Sequence, residues 1–94
     1  MKTEKMSKDQ KINAVRSLVE DTLRNLVKNP DAVRVTVVGG TFNVIFEVSM
    51  PQEDIGRAVG TAGAHKKRLQ ETLVAIGKNH DLCYTIDRIR EARP

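Results

Sequence analysis

Apolar residues between Ile12 and Lys28 recur at spacings of three and four: Ile12, Val15, Leu18, Val19, Leu23, Leu26 and Val27. That period lays one stripe along an amphipathic helix, and the stripe needs a flat apolar partner. Ser7 and Gln10 offer a capping box, with Asp9 an alternative start. Asn29-Pro30 stops the helix, because proline disfavours the helical conformation in the residue before it. From Ala32 the period changes to two. Ala32–Val38 and Thr41–Ser49 are rich in β-branched and aromatic residues and are separated by Gly39-Gly40, which predicts an antiparallel hairpin closed by a tight primed turn. In the second strand Phe42, Val44, Phe46 and Val48 share an apolar face. Asn43, Glu47 and Ser49 mark the other face as solvated, with Ile45 the exception.

Pro51 suits the first turn of a short helix that carries Glu53 and Asp54 near its positive end and runs through Ile55 to about Val59, where Gly60 ends it. After Gly63 another helix is expected to about Ile76, with Leu69, Leu73 and Ile76 turned inward and a stop near Gly77. Leu82–Ile89 alternates Leu82, Tyr84 and Ile86 against Cys83, Thr85 and Asp87 and predicts a last strand. The order α-β-β-α-α-β puts two helices between the second and third strands. A crossover there joins parallel neighbours, so the expected class is α+β, a three-stranded mixed sheet with three helices packed on one face. The expected organisation is an N-terminal tail over 1–11, polar and frayed to about residue 7, one domain over 12–90 and a C-terminal tail over 91–94.

Composition excludes several classes. At 94 residues the chain has room for one small domain, which buries about 60–65% of its unfolded surface. No apolar run approaches a bilayer span, and the first residues do not lead into the apolar core of a signal peptide, so a cytoplasmic setting without a membrane is expected. One cysteine and two histidines give neither a disulfide nor metal-ligand spacing. No phosphate-binding P-loop and no nucleophile constellation is present, so no catalytic residue, cofactor or small-molecule substrate is expected. His65 reads as a packed or hydrogen-bonded histidine rather than a catalyst, and Cys83 as a small buried or half-buried strand residue.

Charge changes this picture at one place. The chain carries 16 basic against 12 acidic residues, a net +4. Arg57, Lys66, Lys67 and Arg68 fall within a dozen positions that hold no acid, around Gly56, Gly60 and Gly63. Glycines there permit positive φ and close approach of a ligand, and the free N–H groups of the following helix point at an anion. The bland alternative is a tight helix-to-helix turn with a solvated basic helix start, since three adjacent residues cover nearly 200° of a helix and cannot all face one ligand.

Leu26–Val33, Pro51–Gly56 and the G-x-x-G element Val59-Gly60-Thr61-Ala62-Gly63, in this order and spacing, resemble the KH domain in its type II arrangement. The resemblance covers roughly residues 14–89 and is closest to the small stand-alone bacterial KH proteins of the KhpA-like family. It implies a type II KH fold over 12–90. It also implies a single-stranded RNA partner clamped over about four nucleotides between the loop and an aliphatic groove, with a role as RNA chaperone or post-transcriptional regulator. Carried onto this chain, the RNA-binding positions are Ile55, Gly56, Arg57, Val59, Gly60, Thr61, Ala62, Gly63, Lys66, Lys67 and Arg68, with Ile45 or Val48 beside the groove. The resemblance further implies a homodimer or a heterodimer with another KH-containing protein. Only Phe42, Phe46 and Tyr84 are aromatic, and two of them look like core, which disfavours RNA-binding folds that stack bases on several exposed rings. Two departures stand out: Thr61-Ala62 where the family often has Lys or Arg, and His65 where it tends to have an aliphatic residue. They motivate the alternative, a degenerate KH module acting chiefly in protein–protein interaction within a ribosome-associated or RNA-processing complex.

Overall fold

The structure is a computed structural model that describes residues 6–92. The first helix, α1, spans Lys8–Arg24 and opens on the expected capping box: the Ser7 hydroxyl accepts from Gln10 N, and the Gln10 side chain accepts from Ser7 N. Residues 1–5 of the tail expected over 1–11, and the last two residues of the C-terminal tail, lie outside the described residues, while residues 8–11 of that expected tail form the first turn of α1. Val15, Val19 and Leu23 bury the stripe of α1. The helix ends at Arg24, short of the expected Lys28, where Asn25 N donates to Asp21 O and Leu26 N to Leu23 O and the last turn closes. Leu26 and Val27 then continue as half-buried residues outside the helix.

A short 3₁₀ turn, Pro30–Ala32, leads into strand β1, Arg34–Gly39, which pairs antiparallel with β2, Asn43–Met50. The expected primed turn at Gly39-Gly40 is replaced by a wider connection. Gly39 pairs with Val44, Gly40 N donates to Asn43 O at 2.9 Å, and neither glycine has positive φ. Glycine is needed at 39 for another reason: a Cβ there would run into the Asn43 carbonyl oxygen. The wider loop also takes Phe42 off the apolar face on which alternation had placed it, and Phe42 stands 67% exposed.

Helix α2, Gln52–Val59, follows Pro51 and ends at Gly60 as expected. After a 3₁₀ turn at Thr61–Gly63, helix α3 spans Ala64–His80. Gly77 does not stop α3. It is buried inside the helix, where a Cβ would collide with the Leu82 carbonyl, and the chain turns instead at Asp81, in the left-handed conformation with φ 59°. Strand β3, Cys83–Glu91, pairs parallel with β2, giving the sheet order β1-β2-β3. An extra residue in β3 opposite Glu47 forms a bulge, so that Ile89 pairs with Val48 and returns to the core face. Cys83, expected to be buried or half-buried, is exposed.

The core lies between the sheet and the helices. Val44, Phe46, Val48 and Met50 of β2 pack with the α1 stripe, with Leu69 and Leu73 of α3, and with Tyr84, Ile86 and Ile89 of β3. Each fully buried side chain of this size is worth about 1.5–3 kcal/mol of transfer free energy. The Phe46 and Tyr84 rings meet with centroids 5.7 Å apart, and the Tyr84 hydroxyl shares a 2.7 Å hydrogen bond with His80 Nδ1. Gln70 of α3 reaches the outer edge of β3, where Nε2 donates to Tyr84 O at 3.2 Å and Oε1 accepts from Ile86 N at 2.9 Å. The α+β order, the mixed sheet and the three helices are those of a type II KH fold.

Candidate nucleic-acid interface

The loop between α2 and α3 is built from backbone conformations that few side chains tolerate. Gly60 sits at φ 82°, ψ 171° and Gly63 at φ 77°, ψ 16°. Between them Ala62 adopts φ 53°, ψ 27°, a left-handed conformation that costs a non-glycine residue about 1–2 kcal/mol. Three backbone bonds hold the turn: Gly60 N donates to Gly56 O at 2.9 Å, Gly63 N to Gly60 O at 3.0 Å, and Ala64 N to Thr61 O.

The two loop glycines do different jobs. At Gly60 a Cβ would come within 2.8 Å of the His65 ring. That ring lies against Gly60, and its Nδ1 is 3.0 Å from Arg57 O. A carbonyl only accepts, so Nδ1 carries a proton and donates across the turn. His65 is thus half-buried and ties the end of α2 to the start of α3, filling the position where an aliphatic residue was expected with a hydrogen-bonded brace. At Gly63 and at Gly56 a Cβ would meet nothing within 4 Å. The backbone at both is open to a close neighbour, and no side chain caps the N-terminus of α3. Ala64 N is taken by Thr61 O, and the N–H groups that follow it at the start of α3 have no side-chain cap and the positive end of the helix dipole behind them.

The basic residues are not gathered on one spot. Lys66 is half-buried, while Lys67 and Arg68 are exposed. Arg68 lines a crevice of about 210 Å³ between α1 and α3, together with Leu18, Leu26, His65, Leu69 and Thr72. Arg57 lies back along α2, with Nε 4.0 Å from Asp54. Ile55 and Val59 are half-buried beside the loop, and Thr61 and Ala62 are exposed. Neither strand candidate for the groove belongs there: Val48 is core, 2% exposed, and Ile45 alternates onto the sheet face opposite the helices.

Sequence reasoning placed Asp54 only as an acid near a helix start, and that missed its main role. Asp54 is fully buried. Its carboxylate accepts from Lys28 N at 3.0 Å, from Asn29 N at 3.1 Å and from Asn29 Nδ2 at 3.0 Å. Glu53 adds a second bond to Asn29 Nδ2 at 3.1 Å. Burial pushes the Asp54 carboxyl up, but the Asn29 amide, the Lys28 and Asn29 N–H groups and the Arg57 charge outweigh it and hold the group below its ordinary value of 3.8. The start of α2 is thereby locked to the chain leaving α1, and the loop at the other end of α2 inherits a fixed position.

Among curated proteins, the RNA-binding protein KhpA of Aquifex aeolicus is 34% identical over 67 residues, which is 71% of this chain and 85% of that protein. The chain belongs to the KhpA family. The RNA-binding protein KhpA of Chlamydia pneumoniae is 30% identical over 69 residues, covering 73% of this chain and 88% of that KhpA. KhpA of Mycobacterium leprae is 34% identical over 59 residues, covering 63% and 74%. No protein-family model matches the chain. No solved structure matches it significantly.

Proposed function

We propose that this KhpA-family chain is a non-enzymatic RNA-binding protein that holds single-stranded RNA over the Gly60–Gly63 turn, mainly through its phosphates. The observation that carries the reading is the turn itself: a strained, two-glycine corner, open at Gly63, ahead of a helix N-terminus with no side-chain cap. An anion over that corner gains hydrogen bonds from backbone N–H groups and the favourable end of the dipole. Thr61 adds a neutral hydroxyl, and Lys66, Lys67 and Arg57 supply charge around the corner. Ile55 and Val59 provide the aliphatic wall against which bases rest. The relatives' name as RNA-binding proteins supports the same ligand. Among the described residues no group of side chains could hold a metal ion, and no helix is long and apolar enough to cross a membrane. RNA chaperoning or post-transcriptional regulation in the cytoplasm follows from such a ligand. Pairing with a second KH-containing chain would raise the effective affinity of a module with few charge contacts.

The test is a titration of a labelled, mixed-sequence RNA of about twelve nucleotides at two salt concentrations, beside a folded Lys66→Ala, Lys67→Ala, Arg68→Ala variant. With about three or four phosphates neutralised, log K falls with log salt at a slope of about −2 to −3. The triple variant weakens binding and flattens that slope. Binding that ignores salt, or no binding by the folded protein at low salt, overturns the reading and favours a protein-interaction module.

A further inference from the structure

At the far end of α3 from the Gly60–Gly63 turn lies a second open cavity, about 250 Å³, lined by Lys8, Lys11, Thr41, Phe42, His80, Asp81 and Leu82. The 17 residues of α3 place it about 24 Å along the helix from the turn. A single exposed aromatic is ordinary on a protein surface. Here Phe42, at 67% the most exposed large apolar side chain among the described residues, shares its cavity with two lysines rather than standing alone.

The local architecture holds these groups in place. Lys8 Nζ donates to Thr41 O at 2.6 Å, so its ammonium is anchored at the residue next to Phe42. The Phe42 carbonyl accepts from Cys83 N at 2.8 Å, which ties the loop to the start of β3 and fixes the Phe42 backbone. His80 is held by the Tyr84 hydroxyl at 2.7 Å, and Asp81 sits in its left-handed cap. A cavity that holds an exposed aromatic ring and two lysines is complementary to a nucleotide, whose base stacks on an aromatic while its phosphate takes an ammonium. Asp81 adds an acceptor of the kind that pairs with an exocyclic amino group on a base edge.

We propose that Phe42, Lys8 and Lys11 form a second single-stranded RNA contact, in which a base stacks on Phe42 and its phosphate is held by the two lysines. The inference rests on the reading of the chain as an RNA-binding protein and extends it to the opposite end of α3. An RNA of twelve nucleotides covers about 40 Å even at the stacked spacing of about 3.4 Å per nucleotide, enough to reach both ends.

The chain contains no tryptophan, so Phe42→Trp supplies a single fluorescent reporter at an exposed position. Titrating this variant with mixed-sequence twelve-nucleotide RNA quenches the tryptophan as a base stacks on it. Adding Lys8→Ala and Lys11→Ala weakens the quenching transition about five-fold or more. Anisotropy of labelled RNA, read in the same samples, reports binding anywhere on the protein. If anisotropy rises without quenching, or if the lysine changes leave quenching untouched, the second contact is wrong, the reading of the turn stands, and the Phe42 surface is left to a protein ligand. If neither signal changes with folded protein at low salt, both readings fall.

Discussion

Helix α2 has two ends, and the chain treats them in opposite ways. At its start the Asp54 carboxylate is buried and meets three N–H groups from residues 28 and 29. At its finish the backbone passes through three positive-φ residues, Gly60, Ala62 and Gly63, before α3 begins without a side-chain cap. Buried polar groups are satisfied by side chains at the first end, and no side chain caps the helix that follows the second. A short helix of eight residues cannot fix its own orientation, so the rigid anchor at one end is the condition for a defined corner at the other.

The largest effect comes from breaking the anchor. Asp54→Ala leaves the Lys28 and Asn29 N–H groups without their acceptor in a part-buried place, and the melting temperature should fall by about 10 °C or more. Thermal denaturation checks this. The same group sets an acid limit. Because its folded pKa lies below the ordinary 3.8, its contribution is fully present above that value and is lost as pH falls through the folded pKa. Asp54→Asn should flatten the acid limb of stability measured between about pH 5 and pH 2, while Glu53→Gln leaves it in place.

Of intermediate size is the contrast between the loop glycines. Gly63→Ala meets only the backbone cost of positive φ, about 1–2 kcal/mol. Gly60→Ala meets that cost in a region open almost only to glycine and also strikes the His65 ring, so it should lose about 2–4 kcal/mol. Adding His65→Ala to Gly60→Ala removes the ring's share of the clash, while the residue 65 backbone N still lies 2.9 Å from the new Cβ, and a double-mutant cycle by urea denaturation should show positive coupling. Equal losses for the two glycines would show that the His65 contact carries no weight. The smallest effect is the reverse sign at Ala62. Ala62→Gly relieves the left-handed strain, less the entropy a glycine adds to the unfolded chain, for a net gain of about 0.5 kcal/mol.

Sequence carried the architecture because most of its signals are local. The Ser7–Gln10 capping box, the α1 stripe, the Gly60 stop and the strand alternation each lie within a few residues, and the structure has them, although Leu18 of the stripe is exposed and Leu26 and Val27 fall beyond the helix. What escaped depends on distant partners. Gly77 reads as a helix stop, yet it is glycine because the Leu82 carbonyl passes against the helix after the chain reverses. Phe42 continues an apolar alternation that the wider hairpin loop interrupts. Asp54 meets residues 25 and 26 positions away, and nothing in the spacing of an acid and an Asn-Pro pair announces that they touch. The loop's glycines were visible, but the division of labour between them was not, since it rests on where the His65 ring lies.

The Gln70 amide has a consequence for how molecules of this chain meet one another. β3 is the last strand of its sheet, and an unpaired edge is a template on which a strand from a neighbour can dock and begin polymerisation. Gln70 already occupies the Tyr84 carbonyl and the Ile86 N–H, presenting its own carbonyl and NH₂ as a one-residue imitation of the missing strand. An arriving strand finds that stretch of the ladder taken, and one side chain thus serves as a guard against fibre growth.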